Sequence, residues 1–570
     1  MSAPGPIRRS FAAPSLRGGL RQLGTVGRRT RQVGALAIVT GVCTGLGVAG
    51  FDRIVAEGLF ERALDLPLWA QAVLPGIGLL IAFWLLRRVA GGASPSTADE
   101  YIKAFHDPDG EFDQRPVPGR LLASAATLGT GAAMGFEGPA IYIGTALGAR
   151  LQRRWGRVFS REDAKLLMVC GAAAGVAAIF KAPATGLVFA LEVPYREDLA
   201  RRMLLPAMFA SASSYVVYVA INGIEPLFPI GGAPPFDLRD LGGAAVLGLL
   251  AGLGARGFAW ALRFAKGLAA EVSPARRLPV AGLGLIGVFF VTHALTDDTL
   301  STGSGYRTLA WAIEPNHAIG AIVVLFVLRA VATTLAVGGG GVGGLFVPLV
   351  VQGALLGAAV SALVHPPDPT FFPLLGVAAF LGAGYRVPLA AVVFVAETSG
   401  RPGFVVPGLI AAATSQLLMG GASVTPYQEG TRSSLLERRL RLPVTAAMRT
   451  DASTVPPDAT ISELFDHHMS QLRMRAVPIV DGATYLGMVL LHDLGTITRD
   501  AWPTTAVVCI ARVDGPIGEV SWTLGAAVQA MEEADTDRLP ILDEGRYVGL
   551  VTTGEILKLD AILDRTENVT

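Results

Sequence analysis

From Val33 to about Gly420 apolar runs alternate with short breaks rich in glycine and proline. Some runs are long enough to cross a bilayer as helices, among them Leu241 to Leu262 and Ala318 to Val337, each with one arginine inside. Others, such as Leu121 to Met134 and Phe371 to Gly384, are short or interrupted. Broken helices survive at membrane depth only where protein buries them or where they line a polar cavity, because hydrocarbon offers their backbone no hydrogen-bond partner. The pattern therefore predicts a helical membrane domain that encloses a pathway for a polar solute. After about Leu440 no run is long enough to span, and short apolar stretches with turn residues predict strands flanked by helices.

Both regions repeat internally. Phe180-Lys181-Ala182-Pro183 runs on through Val188-Phe189 to Glu192, and Tyr385-Arg386-Val387-Pro388 runs on through Val393-Phe394 to Glu397, at the same spacings. Upstream of each lies a glycine-rich break closed by proline, Gly135-Phe136-Glu137-Gly138-Pro139 and Gly343-Gly344-Leu345-Phe346-Val347-Pro348. Two related halves with discontinuous helices are the build of a transporter whose site lies at the repeat interface. In the tail, Arg475-Ala476-Val477-Pro478-Ile479-Val480 leads to Gly487-Met488-Val489, and Arg538-Leu539-Pro540-Ile541-Leu542 leads to Gly549-Leu550-Val551. The same distance from Pro to Gly in both predicts an α/β module occurring twice.

Composition agrees with a membrane protein. Of 570 residues 51% are hydrophobic and 16% charged, where a soluble protein carries about 25% charged residues. The 69 glycines suit close packing of membrane helices. A net charge of +1 without a basic stripe disfavours nucleic acid as a partner. Residues 1–32 are rich in arginine, and a cytoplasmic leader is the preferred reading over a targeting peptide. Cys43, Cys170 and Cys509 lie far apart and read as small buried hydrophobes; no metal-ligand spacing is present, and no HExxH occurs.

The membrane segments resemble the CLC chloride channels and anion/proton exchangers. Gly135 to Pro139 is similar to that family's GxEGP signature; Gly171 to Gly175 with Phe180 to Glu192, Gly344 to Pro348, and Tyr385 to Gly400 match further segments in order. The tail resembles a pair of CBS domains. The resemblance implies an all-α polytopic membrane domain of two inverted repeats plus a small α/β CBS-pair domain. It also implies a homodimer in the lipid bilayer with one pore per subunit. Expected boundaries are 1–32 for the basic cytoplasmic segment, 33–435 for the transport domain, 441–500 for the first CBS domain and 501–570 for the second. The N-terminus and tail are expected in the cytoplasm, with the core in the plasma or inner membrane.

Site residues follow from the same resemblance. A glycine-rich break closed by proline starts a helix with free backbone N–H groups, which hold an anion without a full cation. Gly135, Phe136, Gly138, Leu345, Phe346 and Val347 are the expected anion-binding stretch, and Glu137 is the gate, its carboxylate competing with the anion until a proton neutralises it. For Phe346 a core phenylalanine is the alternative. Tyr427 is expected at the central anion site, or else as an interfacial anchor. Ser94 or Ser96 would supply a hydroxyl, although both also suit helix N-caps. Phe136 replaces a basic residue common before the glutamate, and Lys181 stands where the family usually has a neutral one. Val193 takes the place of the acid by which family exchangers commonly admit protons from inside; Glu192 beside it reads as a structural residue at a helix end. In the tail, Asp493, Thr552 and Glu555 match positions that bind adenine nucleotide, a ligand as expected as a purely structural pair.

The sequence therefore predicts chloride transport with no catalytic chemistry, no metal and no required cofactor. Val193 tilts the expectation to passive conduction gated by Glu137 with voltage and pH. Chloride/proton exchange by an unusual internal route is the alternative. A CBS-regulated cation transporter would need acidic residues lining its helices, where here one glutamate stands among glycine-rich helix starts.

Overall fold

The computed structural model describes residues 16–107, 112–156, 159, 163, 165–224, 237–430, 440–471, 474–559 and 563, with residues 16–30 as helical backbone only. Residues 1–15 of the basic leader, the link expected between 435 and 441, and most of the last ten residues lie outside the described residues. The chain divides into two compact units, Met1–Arg432 and Ser433–Thr570.

The first unit is helical. Its first half comprises α1 (Leu16–Asp52), α2 (Glu61–Leu64), α3 (Leu68–Arg88), α4 (Ala98–His106), α5 (Val117–Gly129), α6 (Glu137–Arg154), α7 (Leu166–Ile179), α8 (Pro183–Glu192) and α9 (Leu204–Asn222). The second comprises α10 (Leu238–Glu271), α11 (Pro274–Thr296), α12 (Tyr306–Ile313), α13 (Ile319–Gly338), α14 (Phe346–Val364), α15 (Phe371–Tyr385), α16 (Pro388–Ser399) and α17 (Val405–Met419). Among the described residues eight helices are long and apolar enough to cross a membrane, and α7, α8, α15 and α16 are shorter apolar ones. Outer helices expose large apolar side chains such as Trp84, Val246, Leu253, Trp260 and Leu283, as a lipid-facing surface requires. By contrast α7 and α15 are buried along their whole length, so their apolarity serves a protein interior.

Glycine makes that interior possible. A Cβ on Gly144 of α6 would lie 1.9 Å from the Gly171 carbonyl oxygen of α7, and one on Gly171 would lie 1.8 Å from the Gly144 oxygen. Gly353 of α14 and Gly376 of α15 face each other the same way, at 2.3 and 2.1 Å. Any side chain at these crossings would push the helices apart.

The sequence repeat is a repeat of backbone geometry. Lys181 and Arg386 both adopt left-handed conformations, φ 52° and 56°, where α7 and α15 end. Extended Ala182 and Val387 follow, and Pro183 and Pro388 then open α8 and α16 at the position where a missing N–H costs nothing. Lys181 thus stands in a tight turn that its repeat partner fills with another long basic side chain.

The two halves clasp each other reciprocally. The Glu192 carboxylate, at the end of α8, accepts from the Leu389 and Ala390 N–H groups of α16 at 3.1 and 2.8 Å. Glu397, near the end of α16, accepts from the Ala184 and Thr185 N–H groups of α8 at 3.0 and 2.8 Å, and from the Thr185 hydroxyl at 2.8 Å. Each acid satisfies N–H groups that have no intrahelical partner and meets the positive end of the other half's helix.

The second unit holds a five-stranded sheet in the order β1-β2-β5-β4-β3, from β1 (Ala476–Asp481), β2 (Thr484–Leu490), β3 (Gly518–Glu519), β4 (Arg538–Asp543) and β5 (Arg546–Thr552). The hairpins β1-β2 and β4-β5 repeat each other: Pro478 pairs with Met488 and Pro540 with Leu550, and each register shifts one residue later. They meet where Thr484 pairs with Arg546. The chain threads between two cores. Val444 and Ala447 pack with Leu524, Leu539 and Val551, whereas Val507 packs with Val455, Val477 and Val489. Of the three cysteines only Cys170 is buried as expected; Cys43 is half-buried and Cys509 exposed, because Cys509 lies in a short helical turn, Val507–Ile510, that buries only Val507.

Removing one clasp tests it. Glu192→Leu leaves N–H groups of α16 without an acceptor, a loss of about 1–3 kcal/mol for each buried group. Its Tm in detergent should fall below that of Glu192→Gln, which keeps an acceptor. Equal Tm values for both variants and the parent would show that the clasp contributes nothing.

Candidate anion site

Glu137 is the first residue of α6 and is 1% exposed. Its Oε1 accepts from the Phe346 N–H, the first of α14, at 2.6 Å, while its Oε2 is buried without a hydrogen-bond partner. Gly135 and Gly344 exchange backbone hydrogen bonds of 2.9 and 2.7 Å, which brings the starts of α6 and α14 together. Two glycines leave room for the carboxylate: a Cβ on Gly344 would lie 1.9 Å from Oε1, and one on Gly135 1.9 Å from Oε2. The carboxylate therefore places a negative charge at the α14 N-terminus, the kind of position at which helix N–H groups favour an anion.

The remaining members of the expected stretch line up around it. Phe136, Gly138, Leu345, Phe346 and Val347 are all buried. The Phe346 ring packs on Phe180, Phe394 and Phe189 with centroids 4.4, 5.0 and 5.5 Å away, so the ring forms a wall while its N–H meets the acid. The core reading and the site reading of Phe346 thus describe different atoms of one residue.

A cavity of about 620 Å³ reaches this point and is lined by Gly343, Gly344, Leu345 and the 92–99 segment. Ser94 stands on it, but its hydroxyl is engaged: it accepts from Arg120 at 3.0 Å and donates to Glu100 at 3.4 Å, and Arg120 also pairs with Glu100 at 3.3 Å. Ser96 lines the cavity half-buried. Neither serine is the N-cap of α4; Thr97 is, because the helix starts one residue later than a serine cap would allow. Thr97 is fully buried, its Oγ1 3.5 Å from the Gly343 carbonyl and 2.5 Å from where a Cβ on Gly138 would lie. Its hydroxyl thus lies at the crossing of α6 and the 343–344 break. A threonine beside two serines was the available signal.

Two tyrosines share the wall. Tyr427 is 40% exposed, with Lys103 5.3 Å above its ring. Tyr385 is 3% exposed, lines the cavity along with Leu345 and packs on Phe189 at 5.6 Å. The sequence pattern presents Tyr385 only as the aromatic of the second repeat. Val193 is buried, and its carbonyl accepts from Gln428, whose side chain also holds the Tyr385 carbonyl. Among the described residues the one carboxylate lining the cavity is Asp99, paired with Lys266 at 2.9 Å.

In the tail the three expected residues differ in surroundings. Asp493 is buried; its carboxylate accepts from the Leu490 N–H at 2.9 Å and from Arg512 through two nitrogens, at 2.9 and 2.7 Å. Thr552 accepts from the Glu555 N–H at 3.2 Å, and Glu555 pairs with Lys558 at 2.9 Å. Thr552 and Glu555 therefore share one turn, while Asp493 is committed to Arg512.

The family described as voltage gated chloride channel matches residues 77–420, and the CBS domain matches residues 444–494 and 519–561. The H(+)/Cl(-) exchange transporter ClcA of Salmonella paratyphi A (strain ATCC 9150 / SARB42) is 27% identical over 404 residues, covering 67% of this chain and 84% of that protein. Among solved structures, a CLC-type fluoride/proton antiporter is 24% identical with a TM-score of 0.61, over 70% of this chain and 98% of its own. A eukaryotic CLC transporter is 16% identical with a TM-score of 0.59, over 92% of this chain and 98% of its own.

Thr97→Val keeps the side-chain volume and removes the hydroxyl at the crossing. It should lower chloride flux in liposomes and change the chloride-to-nitrate flux ratio, whereas Thr97→Ser should preserve both. Ser94→Ala should lower Tm by loosening the Arg120 network and leave the ratio alone. A ratio that follows Ser94 and ignores Thr97 would reverse the assignment.

Proposed function

Because the chain belongs to the voltage-gated chloride channel family, and is an anion transporter rather than an enzyme, we propose that its membrane unit exchanges chloride for protons with Glu137 as the shared gate. The observation that carries this is the Glu137 carboxylate seated on the first N–H of α14. A group that competes with the anion and also binds a proton links the two ions through one set of atoms: the proton removes the competitor, and the anion displaces the group that takes the proton. Val193 alone points to passive conduction. Against it stand the relative named as an H(+)/Cl(-) exchanger along the membrane domain and a carboxylate, Asp99, in the wall of the cavity that reaches the gate.

The membrane unit resides in the lipid bilayer as a homodimer in this reading, in the plasma or inner membrane, with the arginine-rich N-terminus and the tail on the cytoplasmic side. The tail acts as a regulatory or dimer-stabilising unit. An adenine nucleotide would approach the turn of Thr552 and Glu555, since Asp493 already spends its carboxylate on Arg512.

Proteoliposomes test the exchange. As a chloride gradient collapses, external pH should shift by uphill proton movement, and chloride flux should rise as pH falls because protonation removes the competing carboxylate. Glu137→Ala should abolish proton movement and flatten the pH dependence while chloride still flows. Chloride flux that never drags protons would return the passive channel.

A second measurement addresses the tail. Millimolar ATP should raise the Tm of the 441–570 fragment by linkage, and Glu555→Ala should remove the shift. No shift with ATP, ADP or AMP would leave the tail a structural role only.

A further inference from the structure

Exchange needs a group that takes protons from the cavity side, and the structure narrows the choice. Val193 carries no acid, and both oxygens of the neighbouring Glu192 are spent on α16. Glu397 is spent on α8 in the same way. Asp99 remains. It lies in the first turn of α4, two residues after Thr97, on the cavity wall that also contains Gly344 and Leu345 beside Glu137. Its partner Lys266 reaches across from α10; Asp99 Oδ2 and Lys266 Nζ are 2.9 Å apart, with the side chains 11% and 29% exposed, and Lys266 also donates to the Val424 carbonyl at 3.3 Å. Among the described residues Lys266 is the only lysine in that wall, which also carries the cations Arg87 and Arg277.

Building on the exchange reading, we propose that Asp99 and Lys266 form a swap pair in which a departing anion takes the ammonium and the released carboxylate takes a proton. The other charged and titratable groups on the cavity are Arg87 from α3, Arg277 from α11, Tyr385 from α15 and Tyr427. Glu100, next to Asp99 in sequence, is turned to Arg120 and Lys103. None of these is a second acid that could take the proton in the cavity.

The step follows from charge balance. An anion released from the α14 N-terminus enters a cavity where Lys266 is a fixed cation shared with only one carboxylate. Pairing the anion with Lys266 leaves Asp99, a side chain only 11% exposed, without its counter-charge, and a proton from the cavity water neutralises it at least cost. Hydronium in the cavity water gives up that proton, and an O–H bond forms on Asp99. When the anion leaves for bulk water, Lys266 reclaims Asp99 and the O–H bond breaks. The proton passes through cavity water to the Glu137 carboxylate, which becomes neutral and lets go of the Phe346 N–H. Anion and proton thus travel in opposite directions, and the valine at position 193 is no obstacle.

The test follows chloride and external pH together in proteoliposomes of the full chain. Asp99→Asn should lower the number of protons moved per chloride by about tenfold or more, the loss expected on deleting a positioned proton acceptor, while chloride still flows. Asp99→Glu should restore coupling, which a merely structural role for the ion pair would not require. If Asp99→Asn fails to assemble, the double variant Asp99→Asn with Lys266→Gln, which buries no unpaired charge, supplies the same ratio. A wild-type protein that moves no protons uphill overturns the exchange reading and this inference with it. A wild-type protein that couples, with an Asp99→Asn or double variant that couples at the same ratio, overturns the swap pair alone.

Discussion

Helices that begin inside a membrane bring several backbone N–H groups to a place where neither water nor lipid can accept them, and every other feature of the membrane unit accommodates that fact. Among the described residues α6, α8, α14 and α16 begin in the interior of the unit, each with proline in its first turn. For α8 and α16 the solution is permanent: each receives a carboxylate from the other half, with both oxygens engaged. For α14 the solution is a carboxylate engaged through one oxygen only, with the other buried and unpartnered. The difference sets Glu137 apart from the two clasping acids. Two acids held through both oxygens are fixed in place, whereas Glu137 is held through one, and the proposed gating role rests on that asymmetry.

Close packing then decides how Glu137 is reached. The reciprocal glycine crossings of α6 with α7 and of α14 with α15 bring backbone against backbone, so the helices of each half pack too closely for a side chain at those glycines. The aromatic cluster of Phe180, Phe189, Phe346 and Phe394 seals one side of the α14 N-terminus. What stays open is the glycine-rich break at 343–344, and the cavity ends there. Its wall carries Thr97, Asp99, Lys266 and Tyr385 together with Arg87 and Arg277, so cations outnumber the one carboxylate there among the described residues.

The tail obeys a different constraint. Two small α/β copies pair in one sheet at Thr484 and Arg546, yet the second core takes in Val444 from before the first copy, while the first core is closed by Val507 from the segment between the copies. Such threading ties the copies together more firmly than the single Thr484–Arg546 pairing can. It also explains why Asp493 is bound by Arg512, a residue that follows the closing segment of the first core.

Much of this was legible in the residues. Breaks closed by proline mark the starts of α6, α8, α14 and α16 because proline suits only the first turn of a helix, and matched spacings of Phe180 and Tyr385 to Glu192 and Glu397 announce the repeat. Glu137 stands out because an acid inside an apolar, glycine-rich frame has no cheap structural use. The pairings were not legible. That Glu192 caps α16 and not its own helix, that Ser94 is held by Arg120, and that Thr97 reaches Gly343 depend on contacts between residues 26 to 246 positions apart. Local spacing records the periodicity of one element and which residues could carry charge. Which charge meets which partner is decided by how the elements pack, so the tertiary structure alone distinguishes a carboxylate held through both oxygens, one held through a single oxygen and one, Asp99, paired with a lysine in the cavity wall.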